Sequence, residues 1–266
     1  MPPFRKGRKS SFKRAAVSRK SARKPRVSKA LTKAVQSIIH KDVETKVSSV
    51  TLDLTAYNSS PNVSADITKI IPSVVQGTDN AMRIGDNIRG QSLTVRGHLL
   101  LAIQPNNSTI NCRIAVRLFC VQPKRYSNDV DVVANPGAWL PYLLQNANNQ
   151  QAFTGTIQDL YLPVNRESIT VYYDKVHYLT IPYVQAIATG VGTGLTSTDL
   201  ATTVKFFSMK IPMKNKLLKF QDANNTPLNF SPVVIMGYTK LDGTLPDTVS
   251  TNVSMSYVST FKYEDA

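Results

Sequence analysis

The groups in this sequence best equipped for chemistry are paired cations near the N-terminus. Arg5-Lys6, Arg8-Lys9, Lys13-Arg14, Arg19-Lys20 and Arg23-Lys24 follow one another, with Arg26 beyond Pro25. Residues 1–29 hold 12 Lys and Arg and no acidic residue. Charges of one sign at this density repel one another until a polyanion neutralises them, and nucleic acid is the polyanion they fit best. Between the pairs lie Ser, Gly, Ala and Pro, which bury too little surface to order a chain, so a disordered arm is expected in isolation. Basic clusters of this kind also serve as nuclear-import signals, which adds an import receptor to the expected partners.

Other candidates for chemistry are weak. The three histidines, His40, His98 and His177, are far apart in sequence, and none lies beside a cysteine pair as zinc ligands would. Cys112 and Cys120 fall in one strand-like run, roughly 26 Å apart if it is straight, too far for a disulfide. TGVGTGLTST (189–198) is glycine-rich but lacks the Lys-Ser/Thr of a phosphate-binding loop, and no GxSxG or HExxH pattern occurs. Asp129 and Asp131 supply two carboxylates to a hard cation, too few to hold one alone. Lys124-Arg125-Tyr126 joins charge to an aromatic ring, but follows Pro123 in what reads as a solvated turn. The expectation is a protein with no catalytic residues, no metal and no cofactor.

The rest of the chain must therefore present the arm. Of 32 Lys and Arg in 266 residues, 20 remain after residue 29, against all 17 Asp and Glu, so a nearly neutral body carries a polycationic extension. No stretch approaches the ~20 apolar residues of a transmembrane helix, and the N-terminus lacks the apolar run of a secretory signal. The sequons at Asn58, Asn62 and Asn252 read as incidental in a chain rich in Asn, Ser and Thr. Over 28–41, Leu31, Val35 and Ile38 recur at helical spacing behind Ser28 as N-cap. Such a short helix is marginal in water, so its stripe needs a docking surface, and these three residues are assigned to assembly.

Beyond about Val47 the period becomes two. Val50, Leu52 and Leu54 alternate with polar residues. In 92–103, Leu93, Val95, Leu99 and Leu101 oppose Arg96 and His98, and in 112–121 Ile114, Val116 and Leu118 oppose Arg113 and Arg117. Runs at 65–71, 169–181, 204–211, 233–241 and 253–263 complete about eight strands. One helical pattern lies around Trp139–Leu144, and polar connections occupy 122–160, 185–203 and 214–232. This predicts an all-β, eight-stranded jelly-roll sandwich. The expected divisions are 1–29 as arm with import signal, 30–46 as helix and linker, and 47–266 as shell domain.

MRIGDNIRGQSLTVRGHLL (82–100), NCRIAVRLFCVQPKRY (111–126), ITVYYDKVHYL (169–179) and YVSTFKYED (257–265) occur in that order. Together they resemble the strand signatures of capsid proteins from small circular Rep-encoding single-stranded-DNA viruses, the circovirus-like group. The arm departs from circoviruses proper in mixing Lys and Ser among its Arg. The resemblance implies an icosahedral shell of about sixty copies in closed symmetry, packaging single-stranded DNA on inward-facing arms, with a virion location and passage through the host nucleus. A satellite-type RNA-virus capsid shares arm, helix and jelly roll. A cellular nucleic-acid-binding protein would need a basic groove in the body, and a nuclease would need a carboxylate or histidine cluster.

Overall fold

The alternation is realised as ten strands among the described residues of a computed structural model. It describes residues 45–79, 81–101, 113–180, 203–221, 224–241, 243, 245 and 253–265, with Ser28, Ala30, Leu31 and Val35. The chain divides into two units, Met1–Asp42 and Val43–Ala266. In the second unit the strands are β1 (Thr45–Tyr57), β2 (Thr68–Lys69), β3 (Asn87–Leu101), β4 (Arg113–Pro123), β5 (Leu144–Asn146), β6 (Asn149–Gln151), β7 (Ile169–Thr180), β8 (Val204–Lys219), β9 (Val233–Lys240) and β10 (Val253–Asp265). Eight of them form two antiparallel four-stranded sheets, ordered β1-β10-β3-β8 and β2-β9-β4-β7, while β5 and β6 pair as a small hairpin. Each sheet interleaves strands distant in sequence, which is the double Greek key of a jelly roll.

The core lies between the sheets. Leu93, Val95 and Leu99 of β3 and Met255, Tyr257, Phe261 and Tyr263 of β10 meet Ile114, Val116 and Leu118 of β4 and Met236 and Tyr238 of β9. These are the positions that the period of two assigns to one face. The inward hydroxyls of β10 have a second task. Tyr257 donates to Lys69 O, Ser259 to Ile70 O at 2.5 Å, and Tyr263 to Ala81 O at 2.8 Å. Carbonyls of β2 and of the β2–β3 connection thus find donors on β10. At Gly97 a Cβ would lie 2.2 Å from Ser256 O, so only glycine lets β3 and β10 pair there beneath Tyr257 and Phe207.

Several expectations are corrected. β4 is buried on both faces, not one. The reason is the β4–β7 connection, read as a polar loop, which folds as a second layer. It contains helix α1 (Asp129–Ala134), 3-10 turns at Pro136–Ala138 and Leu140–Tyr142, and the β5–β6 hairpin. Its Val132, Trp139, Leu143, Leu144 and Phe153 form a second core with Ala115, Phe119 and Ile235. The helical pattern at Trp139–Leu144 is therefore a single 3-10 turn, with Pro141 at its second position. The α-helix precedes it, N-capped by Asn128 Oδ1 accepting from Asp131 N at 2.7 Å. β8 continues to Lys219, through part of the expected 214–232 connection. Leu54 is exposed, because the β1–β10 register shifts between Leu52 and Thr55 and takes it off the inward face.

The second layer depends on close approach at Gly237 in β9. A Cβ there would lie 2.4 Å from the Phe153 ring. We expect Gly237→Ala to cost ~1–3 kcal/mol in urea denaturation by overpacking. Proteolytic cleavage should increase within 124–168 while the β spectrum stays native; an unchanged cleavage pattern would contradict this account of the layer.

Candidate nucleic-acid interface

Arg5, Lys6, Arg8, Lys9, Lys13, Arg14, Arg19, Lys20, Arg23, Lys24 and Arg26 lie outside the described residues, as does Ile38. What is described of the adjoining helix agrees with its expected start. Leu31 N donates to Ser28 Oγ at 3.1 Å, the N-cap-to-N3 bond that fixes a first turn. Ala30, Leu31 and Val35 are helical. Leu31 and Val35, four residues apart and so on one helix face, are 56% and 46% exposed.

The body offers a second surface. One face of each sheet packs on the central core, and the connection covers the outer face of β2-β9-β4-β7. The outer face of β1-β10-β3-β8 carries no such layer among the described residues. Cross-strand register sorts it into rows. Ser256, His98 and Phe206 form one row, and Thr51, Val258, Arg96 and Ser208 the next. Then come Ser49, Thr260, Thr94 and Lys210, followed by Val47, Lys262, Ser92 and Pro212. Arg96, Lys210 and Lys262 are all exposed. His98, expected at a strand surface, is half-buried there, its ring 6.0 Å from that of Phe206, which is 77% exposed. Sequence reasoning placed Arg96 and His98 on the polar side of β3 but missed Lys210 and Lys262 as their neighbours. The alternation marks each as outward-facing, and only the register brings them together.

Several other charged groups of the body are engaged structurally. Arg117, expected on a polar face, is buried. Its guanidinium donates to both oxygens of Asp174 at 2.8 and 2.7 Å, and to Asp159 O and Leu162 O at 2.6 and 2.7 Å, fastening the connection to β4 and β7. Arg83 is fully buried, donating to Gly85 O, Asp86 and Asn224 O, with Phe220 beneath its guanidinium. Asp129 does not join Asp131 in a cation site. It pairs with Lys69 Nζ at 3.0 Å and accepts from Thr226 Oγ1 at 3.1 Å, while Asp131 bonds Asn128. Lys124 donates to Arg166 O at 2.7 Å at the turn, and Arg125 lies over the Tyr126 ring. Cys120 is a buried free thiol, its pKa raised by burial; Cys112 and His40 lie outside the described residues.

No family model matches the sequence, and no curated protein does. Among solved structures, a crystal form of PNGF-II aligns over 86% of this chain and 36% of its own, at 11% identity and TM-score 0.34. A subviral particle of infectious bursal disease virus VP2 aligns over 84% and 33%, at 12% identity and TM-score 0.27. A heated full particle of Israeli acute paralysis virus aligns over 98% and 81%, at 11% identity and TM-score 0.30. The chain thus spans about a third of the length of PNGF-II and of VP2. At these scores none of the three assigns it to a family or a function.

His177, on β7 at the sheet edge, gives the body an acid response. It is buried, with Nε2 3.2 Å from Tyr173 Oη and its ring against Phe207. Burial pushes its pKa below the usual histidine range, and Lys175 and Lys205 add to the effect. The unfolded chain therefore binds the proton more readily. His177's contribution to stability is complete above the ordinary histidine value of ~6.5 and is lost as pH falls from there towards the lower folded value. Urea midpoints measured at pH 7.5 and 5.5 should fall further for wild type than for His177→Gln; equal losses would show that other groups set the acid response.

Proposed function

We propose that this chain is the capsid protein of a circovirus-like virus, self-assembling into a small icosahedral shell that packages single-stranded DNA. The observation that carries the proposal is a nearly neutral jelly roll joined to 29 residues bearing 12 cations and no acid. A jelly roll alone does not imply a function, since lectins and cupins share it. A polycation on a scaffold without an apparent reaction centre has a clear use when many copies direct their arms at one polyanion. About sixty copies in closed symmetry, each with 12 arm charges, bring ~700 positive charges to a packaged strand, enough to match several hundred nucleotides or more.

The roles divide along the chain. Residues 1–29 bind the genome and carry the nuclear-import signal, 30–46 join arm to shell through the helix, and 47–266 build the shell. The protein works without catalysis or cofactor, in the virion and in the host nucleus. Arm contacts are to phosphate and indifferent to sequence, because Phe4 and Phe12 are the arm's only aromatic residues. Negative-stain microscopy of the expressed full-length protein tests the assembly class directly: uniform small shells are expected, and monodisperse monomers would overturn it. Digestion of the extracted nucleic acid should then identify DNA.

Removing residues 1–26 takes away 11 of the 12 arm charges and no described core residue. The truncated protein should remain soluble with a native β spectrum, and its nucleic-acid content, read from the ratio of absorbances at 260 and 280 nm, should collapse. Undiminished content would place genome binding elsewhere.

Replacing Leu31, Val35 and Ile38 together by Ser removes the helix stripe. Burying each such side chain is worth ~1.5–3 kcal/mol, large against a weak capsid contact. Folded subunits with few or salt-labile shells are expected on sucrose gradients. Shells as abundant and salt-resistant as wild type would end the assembly role of this helix.

A further inference from the structure

We propose that the outer face of the β1-β10-β3-β8 sheet is a second binding surface for single-stranded nucleic acid, separate from the arm. The inference rests on the genome-binding reading above, and extends it from the arm to the folded body. Its basis is the register of the four strands. Three successive rows across the sheet each carry one exposed cation: Arg96 in β3, Lys210 in β8 and Lys262 in β10. Rows of outward side chains are two residues apart along a strand, about 7 Å, so the charges form a staggered track over the adjacent strands β10, β3 and β8. A flexible single strand can lay successive phosphates along such a track.

The row before Arg96 holds the aromatic pair His98 and Phe206. A phenylalanine 77% exposed near the start of β8 contributes little to the sandwich, but offers a ring face on which a base can stack. Four-stranded sheets with exposed aromatics are an established architecture for stacking unpaired bases. Between the cations stand Ser and Thr hydroxyls, of which Thr94 and Ser208 directly neighbour Lys210 and Arg96 across the strands. Such hydroxyls donate readily to phosphate oxygens.

Charge complementarity also selects the occupant. The cross-strand partners of the three cations are Val258 and Ser208, Thr94, and Val47 and Ser92, none of them acidic. Of the acidic residues of these strands, Glu264 lies opposite Arg89, Asp265 pairs with Lys46, and exposed Asp53 lies in the β1 irregularity beside Ser256, outside the three rows that carry the cations. A second copy applying this same face would bring like charges together. A polyanion neutralises them and releases counterions. The body's small net charge conceals the track, because acids elsewhere in the fold balance it.

The test uses the full-length protein and a labelled oligothymidine. Ultraviolet cross-linking followed by mass spectrometry should recover adducts in peptides containing Phe206 or His98, besides those of the arm. Arg96→Ser, Lys210→Ser and Lys262→Ser combined should lower the slope of log affinity against log salt by about 2, at ~0.7 for each phosphate no longer neutralised. The three side chains are exposed, so the variant should keep its thermal midpoint. The cross-linking measurement uses wild-type protein and stands even if the variant folds poorly. Arm adducts without body adducts, together with an unchanged slope, would overturn the second surface and leave the arm's role intact. Failure of the wild-type protein to bind the oligonucleotide at all would overturn both. A variant that loses self-association but keeps its slope would assign the face to subunit contact instead.

Discussion

The layering of this molecule depends on one buried cation, Arg117. A guanidinium on the outer face of β4 must be paired once it leaves water, because an unpartnered buried charge is prohibitively costly. Asp174, directly across the β4–β7 ladder from Phe119, supplies both carboxylate oxygens, and the connection supplies two carbonyls from Asp159 and Leu162. Arg117 therefore satisfies its own charge and gives two backbone acceptors a reason to lie over the sheet. Asp159 continues the chain of dependence. Its carboxylate accepts from Thr154 N at 2.7 Å, Thr154 Oγ1, Thr156 N and Gln151 Nε2, holding the turn that carries Phe153 towards Gly237. Polar anchoring fixes the position of the layer, and Trp139, Leu143, Leu144 and Phe153 provide its apolar burial.

That arrangement makes the two sheets unequal. In the sheet under the connection, the two central strands are buried on both faces, as the near-continuous burial of β4 and β9 shows. The other keeps the alternation of a half-solvated sheet, with buried and exposed residues taking turns along β8 and β10. Its outward residues are hydroxylic, basic or aromatic instead of aliphatic for the most part. Among the described residues, one sheet is thus covered on its outer face by the chain itself and the other is not.

Much of this was legible in the residues and some was not. The inward set of β10, from Val253 to Tyr263, could be read directly because a period of two has one physical interpretation. Ser28 could be read as an N-cap because its hydroxyl and its position before an apolar stripe go together. The second face of β4 could not, since its cover comes from a segment whose Asn, Gln and Asp disguise the spaced Trp139, Leu143 and Phe153. Leu54 was misplaced by a strand irregularity that alternation does not encode. The arm's charge density was evident from composition alone. The cations of the open face were not, because Arg96, Lys210 and Lys262 are ordinary single residues until strands distant in the chain bring them together.

The pairing of β1 with β10 sets a timetable for synthesis. Thr45 lies opposite Glu264, and β10 sits between β1 and β3, so the sheet lacks an interior member until residues 253–265 have left the ribosome. Until then β1 has no neighbour, and β3 can pair only with β8. Long-range pairing of this kind also slows folding after release. The basic segment, by contrast, precedes every one of these strands in the chain and needs no fold to carry its charge. A nascent chain is therefore a polycation well before it is a jelly roll, and the ability to meet anions precedes the ability to form a sandwich. Completion of the last strand is the event that converts one state into the other.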